Sequence, residues 1–173
     1  MQLVGNGFVE GAALLTSDAS TDERGAVKRF FESEVLSSSH FHVKYSLLSI
    51  NPRKATLRGF HYQEEPFGEA KVLSLATGSI FNVVYDTRAE SPTYGACWTH
   101  QLDAAESRAI FVPKGCANAF LTLESETRVT YLVDGEYRPK FARGFRFDDP
   151  KIGVQWPLTP RVISERDRDW PLL

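Results

Sequence analysis

The sequence is poor in the residues that bind metals or build disulfide frameworks. Its 173 residues include two cysteines, four histidines and one methionine. Cys97 and Cys116 lack the CxxC or Cys/His spacing of a zinc site, so we expect buried, reduced thiols. The stretch His40-Phe41-His42 has an H-x-H spacing, but no glutamate and histidine follow at a suitable distance. The sequence therefore predicts neither a metal nor a cofactor.

Long apolar runs and runs of like charge are also missing. No segment approaches the ~20 apolar residues that a membrane helix needs. The N-terminus lacks the basic start and apolar core of a signal peptide. The net charge is −2, with both signs mixed along the chain, which does not favour a nucleic-acid partner. We expect a cytoplasmic protein that binds neither nucleic acid nor membrane.

Short strand patterns separated by turn residues dominate the sequence. The predicted strands are residues 43–50, 71–76, 79–86, 97–102, 108–112, 118–123 and 127–133. Their even spacing favours an all-β sandwich or jelly-roll barrel. Helical signals are few, namely residues 28–36, a capped turn at 103–107 and a turn near 164–167. The tail from Asp148 reads as extended, and with no linker or repeat the chain 1–173 is expected to form one domain.

The hexapeptide 58–63, Arg-Gly-Phe-His-Tyr-Gln, is the most informative stretch. His61 has an unperturbed pKa near neutrality, and on a rigid strand it is a good candidate for moving a proton. Lys71 opens the next predicted strand after a turn-like segment. If the two strands form a hairpin, Lys71 and His61 point into one cavity, where an ammonium group stabilises a developing oxyanion.

Three further residues fit metal-free acid–base chemistry. Tyr131 and Tyr137 flank the turn at Asp134-Gly135, and a buried tyrosine can give a proton as well as pack. Asp167, in a charged stretch of the tail, is a possible orienting carboxylate for His61. Taken singly, a strand tyrosine is more often a core residue and a tail aspartate is usually solvent-facing, so only their joint occurrence points to a site.

Eight stretches, in order from about residue 20 to the end, resemble the dTDP-4-dehydrorhamnose 3,5-epimerase family of sugar-nucleotide epimerases. They are residues 22–25 (DERG), 56–63 (TLRGFHYQ), 78–88, 91–95 (SPTYG), 111–115 (FVPKG), 145–150 (FRFDDP), 152–157 (IGVQWP) and 163–167 (ISERD). No single stretch is decisive, but together they make chance similarity improbable.

The resemblance implies a cupin-like jelly-roll barrel with a few short helices and an extended C-terminal tail. It implies a homodimer whose N-terminal segments contribute to the partner's sheet, as an edge strand around Gly5-Asn6-Gly7 would allow. It also implies a nucleotide-diphospho 4-keto-6-deoxyhexose as substrate, epimerised at C3, or at C3 and C5, through an enolate.

The resemblance assigns roles to particular residues. His61 is the implied base, Asp167 holds its ring, Lys71 stabilises the enolate oxygen and Tyr131 is the proton donor. The substrate-binding residues that the resemblance implies are Arg24 and Arg58 for the diphosphate, Tyr137 for the nucleotide base, and the position of Asn118.

Several contact positions depart from the family pattern. Asn118 stands where the family usually has histidine, and Asn82 where aspartate is frequent. The remaining departures are Arg29 and Ala142 in place of acids, and Tyr45, Ser46, Leu47 and Leu48 in place of a Gln-x-Asn stretch. These changes keep one other reading open, a jelly roll that binds a sugar nucleotide without turning it over. A 3,4-ketoisomerase uses the same enolate chemistry and is ranked lower, because the paired-histidine site of such relatives is missing here.

Overall fold

The computed structural model describes the chain from Met1 to Leu173, apart from the side chains of residues 4–6. In chain order its strands are β1 (Gln2–Asn6), β2 (Ala13–Thr16), β3 (Ala19–Asp22), β4 (Gly25–Lys28), β5 (Tyr45–Asn51), β6 (Leu57–Gln63), β7 (Lys71–Thr77), β8 (Ser79–Asp86), β9 (Cys97–Asp103), β10 (Arg108–Val112), β11 (Cys116–Thr122), β12 (Thr127–Val133) and β13 (Ala142–Gly144). Two 3-10 turns span Ser33–Ser39 and Pro139–Phe141, and one short helix, α1, spans Glu165–Asp169.

Two antiparallel sheets form the body of the molecule. The first has the strand order β1-β2-β10-β7-β12-β5, the second has the order β13-β6-β11-β8-β9, and β3 pairs with β4 in a separate hairpin. Neither sheet closes on itself. Two facing antiparallel sheets are the jelly-roll arrangement that the sequence predicts, so the predicted all-β fold class is confirmed.

The core lies between the sheets because the strands alternate inward and outward residues. Leu73, Ile110 and Val129 of the first sheet pack against Ile80 and Phe120 of the second, all fully or almost fully buried. This interdigitated layer holds the sheets at a fixed separation. At one end, polar and aromatic residues join the aliphatic ones, and a cavity opens there.

Both outer faces are also covered. The 3-10 turn at Ser33–Ser39 and Phe41 close over the outer face of the first sheet through Leu36 and Phe111. The tail covers the second sheet, where Phe145 stacks on Phe60 with ring centroids 4.6 Å apart. The predicted extended tail is thus a packed layer, and it ends in α1, close to the predicted turn at 164–167.

Three local predictions need correction. Residues 28–32 are not helical, because β4 ends at Lys28 and the 3-10 turn starts only at Ser33. The predicted hairpin between the strands of His61 and Lys71 is wrong, because β6 and β7 belong to different sheets and the segment between them crosses from one to the other. The N-terminal edge strand is β1 and ends at Asn6, whereas the chain turns from Gly7 onward. The side chains at positions 5 and 6 lie outside the described residues.

The cysteines and the remaining histidine pair lie apart from the cavity. Both cysteines are free thiols; Cys116 is buried, as predicted, whereas Cys97 is only half-buried. Burial raises the pKa of Cys97 to about 11. His40 and His42 are exposed on either side of the buried Phe41. In the part of the chain that the structure describes, no helix is long and apolar enough to cross a membrane.

Candidate active site

A cavity of about 440 Å³ opens between the ends of the two sheets, within the usual size range of small-molecule sites. Strands β5, β7 and β12 line it from one side, and β6, β11, α1 and the segment 137–143 line it from the other. The sequence-predicted residues that it brings together are Arg58, His61, Lys71, Asn118, Tyr131 and Tyr137.

A bulge in β6 explains why Arg58 and His61 share one face. In the pairing of β6 with β11, Arg58 lies opposite Phe120 and His61 lies opposite Asn118. The step between the two pairs is three residues long in β6 and two residues long in β11, so β6 contains one extra residue. Without the extra residue, strict alternation would turn one of the two side chains away from the cavity. Gly59 makes the bulge possible, since its φ is +114° and a Cβ there would lie 2.5 Å from the Asn118 carbonyl oxygen.

His61 is held from behind by a buried carboxylate. Its Nε2 lies 2.6 Å from Oδ1 of Asp167, while the other oxygen, Oδ2, accepts a hydrogen bond from the Gly59 amide at 3.2 Å. Asp167 sits on α1, and its amide donates to the N-cap hydroxyl of Ser164 at 3.1 Å. The helix cap and the bulge therefore position the two members of the pair.

The charge state of Asp167 decides the tautomer of the histidine. Burial opposes ionisation of Asp167, but the hydrogen bonds that it accepts from His61 and Gly59 outweigh it and hold the pKa of this carboxyl below its usual value. An ionised carboxylate only accepts, so Nε2 of His61 carries the proton. The other ring nitrogen, Nδ1, then has a lone pair, and it has no hydrogen-bond partner among the described residues.

Lys71 enters the cavity as part of a buried ion pair. Its Nζ lies 2.9 Å from Oε1 of Glu69, and the two side chains are 15% and 7% exposed. The other carboxylate oxygen accepts from Gln63 Nε2 at 3.0 Å and from the Tyr45 hydroxyl at 3.3 Å. Glu69 thus fixes the direction of the ammonium group, and the pair links β5, β6 and β7.

Tyr131 lines the same cavity as His61, from the opposite sheet. It is half-buried against the core, and its hydroxyl has no hydrogen-bond partner among the residues described in full. Burial raises the pKa of Tyr131 well above the usual range for a phenol, although the positive charge of Arg58 acts in the opposite direction. The phenol stays protonated at neutral pH, so it can donate a proton into the cavity.

Two guanidinium groups in the cavity have no carboxylate partner among the described residues. Arg58 donates only to the amide oxygen of Asn51 at 2.8 Å, and Arg166 lies over the Trp170 ring, 5.1 Å from its centroid. A third, Arg143, pairs with Glu64 at 2.8 Å. Arg58 and Arg166 can therefore bind an anionic ligand with their full charge.

The departures from the family pattern fall partly inside the cavity. Leu47 and Ala142 line it, and Leu47 lies directly across β5–β12 from Tyr131. Arg29 does not reach the cavity and pairs with Glu32 at 2.7 Å.

Arg24 also lies away from the cavity of its own chain. It is at the tip of the β3–β4 hairpin, where its side chain is 83% exposed and pairs with Asp22.

Several cavity residues were not predicted from the sequence, among them the charged residues Glu69, Arg143 and Arg166. Arg166 precedes Asp167, and Glu69 is two residues before Lys71. Tyr45 was noted only as a departure from the family pattern. The alternation of strand side chains was the available signal for Glu69, because residues two apart in extended chain lie on the same side.

Comparison with known proteins places these features in a family. The model of the dTDP-4-dehydrorhamnose 3,5-epimerase family matches residues 7–173. An enzyme of that name from Sinorhizobium fredii is 38% identical over 126 residues, a match that covers 72% of this chain and 65% of that protein.

Solved structures agree with the sequence match. The dTDP-4-dehydrorhamnose 3,5-epimerase from Bacillus anthracis, crystallised with TDP and PPi, superposes with a TM-score of 0.94 at 30% identity and 99% coverage of both chains. ChmJ, a 3′-monoepimerase from Streptomyces bikiniensis crystallised with dTDP-quinovose, gives 0.88 at 28% identity, covering 99% of this chain and 87% of its own. With its two-sheet fold and cavity, this chain belongs to the dTDP-4-dehydrorhamnose 3,5-epimerase family of isomerases.

Proposed function

We propose that the protein epimerises a dTDP-linked 4-keto-6-deoxyhexose at C3, or at C3 and C5, by moving protons through an enolate. The observation that carries this proposal is the His61–Asp167 pair at 2.6 Å, in a cavity that Tyr131 and Lys71 line from the opposite sheet. A binding protein has no need of an oriented base, a protonated phenol and a fixed ammonium group around one space.

The base step uses the free nitrogen of His61. A ketone at C4 acidifies the hydrogens on C3 and C5, and Nδ1 of His61 takes one of them as a proton. The electron pair of the broken C–H bond forms a double bond to C4. The π electrons of the C4 carbonyl move onto its oxygen, which becomes the negatively charged enolate oxygen. Asp167 stabilises the imidazolium that forms, because its carboxylate stays ionised.

The acid step uses the opposite wall. The ammonium group of Lys71, oriented by Glu69, stabilises the enolate oxygen. Tyr131 then gives its hydroxyl proton to the same carbon from the other face, which inverts the configuration. Exchange with water returns a proton to the phenolate and removes one from His61, so the enzyme is reset without any net change in protons.

The remaining residues of the cavity suit the nucleoside diphosphate part of the substrate. Arg58 and Arg166 supply positive charge for a diphosphate, and guanidinium groups bind phosphate oxygens through paired hydrogen bonds. Tyr137 is 55% exposed at the cavity rim, where its ring is free to stack on the base.

We also propose a homodimer. The edge strand β5 presents Leu47, Leu48 and Ile50, each more than half exposed, and an open apolar edge favours pairing. Arg24, which is far from its own cavity lining, would reach the cavity of a partner whose sheet the N-terminal segment extends. Light scattering at micromolar concentration tests the assembly, and a monomer there contradicts it.

A cytoplasmic location, where both thiols stay reduced, completes the proposal.

The activity is tested with dTDP-4-dehydro-6-deoxyglucose. After incubation, borohydride reduction and hydrolysis, the configurations at C3 and C5 are read from the sugars released. Inversion at C3 alone, or at both carbons, supports the proposal and decides between one and two epimerisations. The altered contacts at Leu47, Asn118 and Ala142 favour one competing function, that of a protein that binds the sugar nucleotide without converting it. Tight binding of the sugar nucleotide with no change in the sugar would show this.

A further inference from the structure

The side chain of Asn118 presents a hydrogen-bond acceptor to the cavity. Its Nδ2 donates one hydrogen to Oδ1 of Asn82 at 2.8 Å and the other to the Val83 carbonyl at 2.9 Å. An amide nitrogen has two hydrogens, so both are used. The oxygen of the Asn118 amide has no partner among the described residues, and Asn118 lines the cavity although it is only 6% exposed.

The orientation of this amide is fixed by the main chain. The Val83 carbonyl can only accept, so the Asn118 nitrogen must face it. Rotating the Asn82 amide would place its nitrogen 3.3 Å from the Ala119 carbonyl and its oxygen 3.2 Å from the Val83 amide, but would also set two NH2 groups 2.8 Å apart. In either state of Asn82, the contact with Val83 directs the oxygen of Asn118 towards the cavity.

The family frequently has aspartate at the position of Asn82 and histidine at the position of Asn118. The structure shows that these two departures touch, so they form one coupled change from an ionisable pair to a neutral amide pair. An imidazole at position 118 can present an N–H to a ligand, whereas the oriented Asn118 offers only an oxygen. The polarity of this part of the wall is therefore reversed.

We propose that Asn118 determines substrate specificity by accepting a hydrogen bond from a hydroxyl group of the hexose. The strand register pairs Asn118 with His61, so the hydroxyl lies beside the carbon that loses its proton, at C2 or C3. This inference rests on the proposed function for the identity of the sugar. A hexose that carries only hydrogen-bond acceptors at C2 and C3 leaves the side-chain oxygen of Asn118 without a donor and binds more weakly.

The test uses ligands that bind without reacting, so it does not depend on turnover. Dissociation constants for dTDP-quinovose and its 2-deoxy and 3-deoxy analogues are measured by calorimetry on the wild type, on Asn118→Ala and on the control Gln101→Leu. Gln101 is exposed on β9, outside the cavity.

We expect one of the two analogues to bind the wild type and Gln101→Leu about 3- to 10-fold more weakly than dTDP-quinovose, the usual size of one neutral hydrogen bond. On Asn118→Ala the same analogue and dTDP-quinovose should bind within twofold of each other. Equal affinities of all three ligands for the wild type overturn the proposal, even if Asn118→Ala fails to fold. An undiminished difference on a folded Asn118→Ala also overturns it. Failure of dTDP-quinovose itself to bind would instead contradict the proposed function.

Discussion

The carboxylate of Asp167 lies 2.6 Å from Nε2 of His61, although 106 residues separate them in the chain. The contact exists because the tail returns over the second sheet and ends in a helix whose N-cap, Ser164, holds the Asp167 amide. Since Asp167 is ionised, the histidine has its proton on Nε2 and its lone pair on Nδ1. The fold therefore sets the tautomer that the proposed role of His61 as a base requires.

Replacing Asp167 by asparagine should lower kcat by about 10²-fold or more, because the amide neither fixes the tautomer nor stabilises the imidazolium. Steady-state kinetics on dTDP-4-dehydro-6-deoxyglucose measures this. The matched control is Asp169→Asn, an exposed carboxylate on the same helix, which should keep wild-type turnover. A kcat for Asp167→Asn within twofold of the wild type is the opposing result.

The ion pair of Lys71 and Glu69 should show strong coupling in stability. Glu69→Gln leaves a buried ammonium group without its counter-ion, and such losses typically reduce the free energy of unfolding by about 3–5 kcal/mol. Adding Lys71→Met should restore part of the loss. Urea unfolding of the two single variants and the double variant gives the coupling energy, with the exposed Glu65→Gln as the control. Additive effects would mean that the two groups do not act as a pair.

Acid should weaken the fold through Asp86. Burial opposes ionisation of this carboxyl, but hydrogen bonds from Arg88, Ser91 and Thr93 outweigh it and lower its pKa far below the usual value. A lowered folded pKa gives stability that is complete above the unfolded pKa of about 3.9 and is lost as the pH falls towards the folded value. Urea unfolding from pH 6 to pH 2 should show this slope, and Asp86→Asn should flatten it. Equal slopes for the two proteins would refute the assignment.

The bulge in β6 should not tolerate a side chain at position 59. Gly59→Ala places a methyl group 2.5 Å from the Asn118 carbonyl oxygen at a φ of +114°, so we expect a loss of at least about 2 kcal/mol in unfolding free energy. Gly25→Ala is a close control, because Gly25 has a φ of +125° with no atom within 4 Å of the added carbon. A similar loss in both variants would show that backbone conformation, not the close approach to β11, sets the requirement.

The two thiols should be unreactive in the folded protein. Burial raises the pKa of Cys97 to about 11 and that of Cys116 to about 12, so the thiolate that alkylates is scarce at neutral pH. Mass spectrometry after iodoacetamide treatment at pH 7.5 should find both unmodified for hours, and both modified in urea. Rapid labelling of either thiol in the native protein would argue against its burial.

The strand pattern and the family resemblance predicted much of this molecule from its sequence. Alternation and turn residues located the middle strands. The tail brings Asp167 to His61, while the roles that the resemblance assigns to the two residues stay predictions. Which sheet each strand joins depends on contacts distant in sequence. For that reason the expected hairpin of His61 and Lys71 was wrong, although both residues do line one cavity.

Other features of the structure were not predicted from the sequence, because they also depend on contacts between distant residues. The pairing of Lys71 with Glu69 was missed because Glu69 looks like one more charged turn residue until its burial is known, and its two-residue spacing from Lys71 was the one local signal. The helix expected at 28–36 starts later, at Ser33 and as a 3-10 helix, because β4 pairs with β3 through Lys28 and keeps the chain extended there. The contact of Asn82 with Asn118 depends on the register of β8 and β11, which local sequence does not determine.

The most direct test of the chemistry is deuterium uptake in D2O, followed by NMR of dTDP-4-dehydro-6-deoxyglucose. If Nδ1 of His61 removes a proton beside the ketone, the wild type should place deuterium at C3, or at C3 and C5. His61→Ala should slow this uptake by about 10²-fold or more while binding dTDP within a few-fold of the wild type. Uptake by His61→Ala within twofold of the wild-type rate, or none by the wild type with ligand bound, would contradict a histidine-driven enolate.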